Sequence, residues 1–472
     1  MKMPATHISQ LYPGHLGLMT DLYQLTMAYG YWKTGKYRQR AAFQLFYRKP
    51  PFGGRGAIAA GLELAVDFLR HYKFSASDIQ YLGGLKDGTG APLFDEGFLN
   101  YLQRMELSLD VHAAPEGTFL FPNQPLLRVE GPLLQCQLVE TALLTLVNFS
   151  TLIATKSAGV AAAAAGDPVL EFGMRRAQGL DGALTASRSA FLGGCHATSN
   201  VMAGRIYGIP VRGTHAHSWV MSFSTEEEAF LAYAAQMPGN TILLVDTYDT
   251  LEGVRKAVEV GLWMKGRGHT LSGIRLDSGD LKELSKAARQ LLDDAGLHDA
   301  KIVASNDLDE QEIARLKAAG AAISVWGVGT KLATADGSPS LGGVYKLSAI
   351  MEANGEWAGK AKHSEDAAKQ SVPGRLQVYR KYDGSRPVGD KVADVSLGAD
   401  ELGEGYRALL EPVLAKGEIV YRFPTLTAAR AHAAAQWEAF RGAAADYPVL
   451  WLGQAGAAEA PAELTTGQGM PA

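Results

Sequence analysis

Between about residues 167 and 330, short apolar runs rich in β-branched residues alternate with stretches of helical spacing. The runs occupy 168–172, 209–213, 241–246, 273–276, 301–305 and 322–326. Between them, 225–236, 251–263, 281–295 and 309–319 repeat apolar residues at helical intervals and frequently begin at Ser, Thr or Asp, side chains that accept the free N–H groups of a first turn. Runs that are apolar throughout predict strands buried on both faces, hence a parallel sheet covered by helices. An irregular parallel α/β barrel and an open doubly wound sheet both satisfy this pattern.

The flanking segments read differently. Before about residue 130 an aromatic run at 42–47, a turn-rich stretch at 50–56 and a strand-like 108–120 predict an α+β domain. The apolar stretch 133–152 is interrupted by Gln135, Gln137, Glu140 and Asn148, so it is read as an amphipathic core helix, and no apolar run is expected to reach membrane-spanning length. Residues 341–421 are again strand-rich. The expected division is an N-terminal α+β domain over 1–135, an α/β domain over 136–340, a segment over 341–452 returning to the first domain, and a flexible Ala-, Gly-, Pro- and Glu-rich tail over 453–472.

Composition narrows the function classes. A chain of 472 residues, 47% hydrophobic and 20% charged, is globular and long enough for two cores. Its 45 basic and 49 acidic residues give a formal charge of −4 with the basic ones scattered, which argues against nucleic acid or an anionic membrane as a partner. Two cysteines, Cys136 and Cys195, cannot build a disulfide framework or a four-thiolate metal site, and they fit a reducing cytoplasm. Residues 1–10 lack the basic-then-apolar order of a signal peptide.

Polar clusters follow almost every predicted strand, at the edge where α/β proteins hold ligands. They are Gly173-Met174-Arg175-Arg176, Gly213-Thr214-His215-Ala216-His217-Ser218, Asp246, Arg275-Leu276-Asp277-Ser278-Gly279-Asp280, Ser305-Asn306-Asp307 and Gly327-Val328-Gly329-Thr330. The last, between a strand and an expected helix, would let backbone N–H groups approach a phosphate; a plain tight turn explains it equally well. Arg275 suits a phosphate or carboxylate, and Asp277 suits sugar hydroxyls or a cationic carbon. The alternative is that Asp277 or Ser278 merely caps the helix that starts near Leu281. Arg175 and Arg176 fit a carboxylate-bearing ligand, or surface ion pairs. His215 and His217 lack the further ligands a metal needs, and a histidine at a strand end is more often structural than catalytic.

Taken in order, these clusters, with Thr20-Asp21-Leu22-Tyr23-Gln24-Leu25-Thr26-Met27 and Phe46-Tyr47-Arg48-Lys49-Pro50-Pro51-Phe52, resemble the nicotinate phosphoribosyltransferases from about Thr20 to at least Lys346. The resemblance implies an irregular α/β barrel beside an N-terminal α+β domain completed by C-terminal strands, assembled as a homodimer with active sites at the subunit boundary. It implies nicotinate, phosphoribosyl pyrophosphate and ATP as substrates, Mg²⁺ held mainly through substrate phosphates, and no metal bound by side chains alone. His217 matches the histidine phosphorylated during ATP hydrolysis, while His215 falls at a variable position. Arg275 and Asp277 match the segment flanking the ribose and the transferred centre. Asp21 and Tyr23 would reach a neighbouring subunit's site, with Tyr23 and Phe172 sandwiching the pyridine ring. Arg175 would pair with the nicotinate carboxylate, with Gly213 and Ser218 beside the ligand. Ser305, Gly327, Gly329, Thr330 and Lys346 would hold phosphate.

Three rivals stay in view. A nicotinamide phosphoribosyltransferase would share the architecture and the histidine, but the two arginines favour an acid over its amide. A quinolinate-type enzyme would share the barrel but consume no ATP, and a non-catalytic homologue would bind a sugar phosphate without turnover.

Overall fold

In a computed structural model, described for residues 8–14, 16–362, 371–441 and 447–453, the chain divides into two compact units. The first joins the N-terminal part, through Thr155, with the part from Ser340 onward; the second spans Lys156–Pro339. The expected tail lies, beyond its first residue, outside the described residues.

In the first unit the expected return of the C-terminal segment takes a definite form. Strand Gly343–Met351 pairs antiparallel with Arg40–Tyr47, within a seven-stranded sheet ordered 357–359, 343–351, 40–47, 127–132, 110–113, 411–415, 418–419. Strand Arg40–Tyr47 is buried along nearly its whole length, which is why its sequence reads as an apolar run instead of alternating. The boundary falls at Thr155 and not at residue 135, because the segment between them packs in this unit. Tyr345 donates its hydroxyl to the Cys136 carbonyl at 2.9 Å, while Thr151 and Thr155 bond the backbone of Ala60 and Ile58.

One expectation about this segment is corrected. The helical run does not span 133–152; it breaks at Val139 into Leu133–Leu138 and Glu140–Ala163. The second helix has the length and apolar composition to cross a membrane, contrary to the reading from 133–152, because it gains the Ala-rich turns up to Ala163 and leaves Gln135 and Gln137 behind. Much of it is buried, and Thr151, Thr155 and Ser157 satisfy their hydroxyls within the protein. That is how a core helix carries polar groups.

The second unit holds a six-stranded sheet, parallel throughout, ordered Ala197–Thr198, Val169–Glu171, Val325–Val328, Lys301–Ser305, Gly273–Leu276, Ile242–Leu244. Helices Thr250–Lys265, Leu281–Asp294 and Glu310–Ala318 connect successive strands. Each is capped by the Asp before it, Asp249, Asp280 or Asp309, and Thr225 caps Glu226–Gln236 in the same way. The expected strand at 209–213 is reduced to one parallel bridge between Val211 and Thr198. Pro210 has no N–H to continue a ladder, residues 210–213 are exposed, and the sheet position belongs to Ala197–Thr198. Among the described residues no backbone ladder joins the two edge strands, Ala197–Thr198 and Ile242–Leu244.

Candidate active site at the strand ends of the second unit

The site is built on the carboxyl ends of the parallel strands. Strand Ile242–Leu244 leads into Asp246 and Thr247, and strand Gly273–Leu276 carries Arg275 and leads into Asp277 and Ser278. Asp246, its side chain 1% exposed, accepts the Asp277 backbone N–H at 2.9 Å and the Ser278 hydroxyl at 2.6 Å through Oδ2. Its Oδ1 is buried with no hydrogen-bond partner. Asp280, and neither Asp277 nor Ser278, caps the helix that follows, so both of those residues are free for other work. Asp277 spends one oxygen on the hydroxyl of Ser305, at the end of the next strand.

His217 opens the five-residue helix His217–Met221 and is 39% exposed. Its Nδ1 contacts the Thr247 hydroxyl at 3.1 Å, and its Nε2 stands 3.9 Å from both Asp246 Oδ1 and Asp277 Oδ2. His215, two residues earlier, is a different kind of histidine. It is buried, its Nε2 accepts the Leu244 backbone N–H at 3.2 Å, and its ring packs edge-on against Tyr233. Burial lowers its pKa to about 4, so it is neutral and structural. Two histidines that look alike in sequence thus part company in the fold.

Arg275 donates to the Thr214 hydroxyl at 2.6 Å, while its buried Nε has no partner. Burial lowers its pKa; the charges of Asp277 and Asp246 oppose that effect and the charge of Arg175 adds to it, so the two arginines feel one another. Arg175 itself is exposed on the 3₁₀ turn Met174–Arg176. The phosphate-turn candidates pack against Phe172: a Cβ on Gly327 would stand 2.8 Å from the Phe172 ring, and one on Gly329 would stand 3.2 Å from its carbonyl oxygen. Gly329 precedes the short helix Thr330–Ala333, on which Thr330 is exposed. After Ser305, Asn306 and Asp307 hold φ values of 125° and 39°, a strained path for side-chain-bearing residues.

The structure therefore joins Phe172 with Gly327 and Gly329, and joins His217, Asp277 and Ser305 through contacts among neighbouring strand ends. Gly213 and Ser218 are exposed in the segment that carries His217. Three expected site residues belong to the first unit. Asp21 bonds the Thr141 hydroxyl at 2.9 Å; Tyr23 donates to Glu140 at 3.1 Å, and burial with the Glu140 charge pushes its hydroxyl up to about 12; Lys346 is exposed on strand Gly343–Met351 opposite Gln44. Among the described residues no group of three or more His, Cys, Asp or Glu side chains is disposed to hold a metal. Sequence reasoning gave Thr214 no role of its own and passed over Thr247 and the partnering role of Asp246. Single hydroxyls after a strand give no signal until their partners are known, whereas Asp246 was legible as a lone acid at a strand end.

Comparison with known proteins accords with this geometry. A family model described as the nicotinate phosphoribosyltransferase N-terminal domain matches residues 18–148, and one described as the nicotinate phosphoribosyltransferase family matches 168–386. A Bacillus subtilis protein named nicotinate phosphoribosyltransferase is 48% identical over 366 residues, covering 77% of this chain and 73% of that one. The human protein of that name is 39% identical over 419 residues, covering 77% and 76%. A crystal structure of human nicotinic acid phosphoribosyltransferase superposes with a TM-score of 0.80 at 32% identity, covering 93% of this chain and 98% of that one. A nicotinate-nucleotide pyrophosphorylase from Pyrococcus furiosus, at 24% identity and a TM-score of 0.71, shares the fold.

Proposed function

The chain belongs to the nicotinate phosphoribosyltransferase family and is an enzyme of that kind, acting on nicotinate and phosphoribosyl pyrophosphate; from that premise we propose how its residues carry out the reaction. The pyridine nitrogen of nicotinate attacks C1 of the sugar, the C1–N bond forms, and the C1–O bond to pyrophosphate breaks. The ring nitrogen brings its own lone pair, so no strong general base is needed. What the site must supply is orientation and charge, since C1 gains oxocarbenium character while pyrophosphate gathers negative charge.

The observation that carries this reading is the linked set of Asp246, Asp277 and Ser305 at adjacent strand ends with His217, which opens a short helix against them, and with Arg275 beside it. Asp277 stabilises the cationic carbon, and Arg275 holds an anionic oxygen of the phosphorylated sugar. Arg175 pairs with the nicotinate carboxylate, and Phe172 stacks on the ring. Ser305, Gly327, Gly329 and Thr330 receive the 5′-phosphate, with Gly213 and Ser218 as further ligand contacts. A subunit pair with shared sites would bring in Asp21 and Tyr23.

Mg²⁺ fits the donors present. The unpartnered Asp246 Oδ1 and the Asp277 Oδ2 are oxygens of the kind it prefers, too few for an octahedral shell, so substrate phosphates would supply the rest. Bound there, the ion would neutralise charge on the departing pyrophosphate.

In ATP coupling, a ring nitrogen of His217 attacks the γ-phosphorus, ADP leaves, and water later hydrolyses the phosphohistidine. The added charge shifts ligand affinity through the cycle. The segment 211–215 supports the barrel reading of the fold, since Val211 bridges one edge strand and His215 accepts from Leu244 on the other. A chain with two cysteines, Cys136 and Cys195, both buried, suits the cytoplasm.

The test is to mix the protein with nicotinate, phosphoribosyl pyrophosphate, Mg²⁺ and labelled ATP and to map acid-labile label. Label on His217, lost with ATP stimulation in His217→Ala, is the expected result. An unchanged ATP-stimulated rate in that variant removes the role assigned to His217.

A further inference from the structure

Glu171 ends strand Val169–Glu171, is 1% exposed, and is used by none of the chemistry above. A buried carboxyl group is costly unless donors meet it, and here three do. The hydroxyls of Ser187 and Thr198 donate to Oε2 at 2.8 and 2.6 Å, and the backbone N–H of Gly173 donates to Oε1. The two hydroxyls are held in turn: Asn200 donates its side-chain amide to Ser187 at 3.2 Å and its backbone N–H to Thr198 at 2.9 Å. The carboxyl group is thereby pinned on one side to helix Leu180–Gly193 and strand Ala197–Thr198, and on the other side to Gly173.

Gly173 is the pivot of the turn that bears Arg175. Its carbonyl accepts the N–H groups of Arg176 at 2.8 Å and Ala177 at 3.1 Å, closing the turn around Arg175. Nor can the pivot carry a side chain, because a Cβ there would meet the Ala333 methyl, with the Gly329 carbonyl oxygen and Glu171 Oε1 each at 2.9 Å. Arg175 is exposed on this turn, so the backbone that Gly173 fixes is the support from which its side chain extends.

We infer that Glu171 is a positioning residue for Arg175, acting through the Gly173 N–H to set the turn from which the guanidinium meets the nicotinate carboxylate. This inference rests on the assignment of Arg175 to that carboxylate. Fixing a bidentate donor before the ligand arrives saves ordering entropy on binding, so the effect belongs in nicotinate affinity. The acid-over-amide preference should follow it, because only the acid uses the guanidinium fully.

The test compares Glu171→Gln, Glu171→Ala and Arg175→Ala in the full chain for the KM of nicotinate, the KM of phosphoribosyl pyrophosphate, kcat, the nicotinate-to-nicotinamide kcat/KM ratio and Tm. Glutamine keeps the shape but has one acceptor oxygen where the carboxylate has two: with that oxygen on the Gly173 N–H, its NH2 faces the two hydroxyls, which must accept where they now donate, so the side chain still fits while the anchor weakens. Glu171→Gln is expected to raise the nicotinate KM about tenfold and to lower the nicotinate-to-nicotinamide ratio, with the other KM and kcat within about threefold. Glu171→Ala, if it folds, is expected to exceed both shifts; if it does not fold, Glu171→Gln decides alone. A nicotinate KM in Glu171→Gln within twofold of the parent overturns the inference, and so does an equal rise in both KM values accompanied by a lowered Tm. Arg175→Ala separates the two layers: no change in its nicotinate KM removes the assignment of Arg175 and this inference with it. A large change there beside an unaltered Glu171→Gln removes only the inference.

Discussion

Asp246 accepts the backbone N–H of Asp277 at 2.9 Å, so the acid at the end of one strand fixes the acid at the end of its neighbour. The same oxygen takes the Ser278 hydroxyl, and the opposite oxygen, buried and without a hydrogen-bond partner, faces His217. Asp246→Ala leaves the Asp277 N–H unpaired and releases the loop. The expected loss is about 1–3 kcal/mol of stability and on the order of 100-fold in kcat/KM. Urea unfolding and steady-state kinetics check the pair, and a variant within threefold of the parent in kcat/KM would mean that Asp277 needs no such support.

Gly327 is predicted to be intolerant of even one methyl group. A Cβ at that position would stand 2.8 Å from the Phe172 ring, so Gly327→Ala must displace the ring. The expected outcome is a loss of about 1–3 kcal/mol and a several-fold rise in nicotinate KM. Substrate titration of the purified variant reads the second effect, and an unmoved KM would show that Phe172 does not stack on the pyridine.

Acid should weaken the second unit through His215. Its pKa falls from the ordinary value of 6.5 to about 4 because it is buried. The unfolded chain therefore binds the extra proton first as pH drops. Stability from the neutral ring is complete above 6.5, declines below that value, and is gone below about 4, with up to about 2 kcal/mol lost by pH 5. Urea midpoints at pH 7 and pH 5 should converge in His215→Gln more than in the parent; equal slopes in both would refute the assignment.

The first unit carries a fully buried ion pair that ties distant chain segments together. Arg380 meets Asp390 with two bonds of 2.8 Å and also donates to Gln436 and to the Phe119 carbonyl, while Asp390 accepts from Gln124 and Tyr447. Asp390→Ala strands the guanidinium and should cost about 3–5 kcal/mol. Chemical denaturation followed by tryptophan fluorescence is the measurement, and a loss below 1 kcal/mol would mean that water reaches the group.

Much of this protein was legible because its signals are local. The helix starts at Asp249, Asp280 and Asp309 follow from residues within one turn of one another, and the buried strands betray themselves by unbroken apolar runs. Where local signals competed, the sequence misled. Asp277 and Ser278 were as good caps on paper as Asp280, and 209–213 read as a strand although Pro210 interrupts its ladder. The helix at 140–163 was misjudged because polar residues of a separate helix were counted with it.

The order of residues alone determined the alternation of strand and helix, the parallel sheet, the family and the rim of the sheet where polar groups gather. Only the tertiary structure decided that His217 stands between two carboxyl groups while His215 is a buried neutral peg, and that Glu171 holds the Arg175 turn. The reason is one of range: capping and periodicity are decided within a few residues, whereas burial and most of these hydrogen bonds depend on residues far apart in the chain, as His217 and Thr247 or Asp246 and Asp277 are, and those two set a side chain's charge and direction.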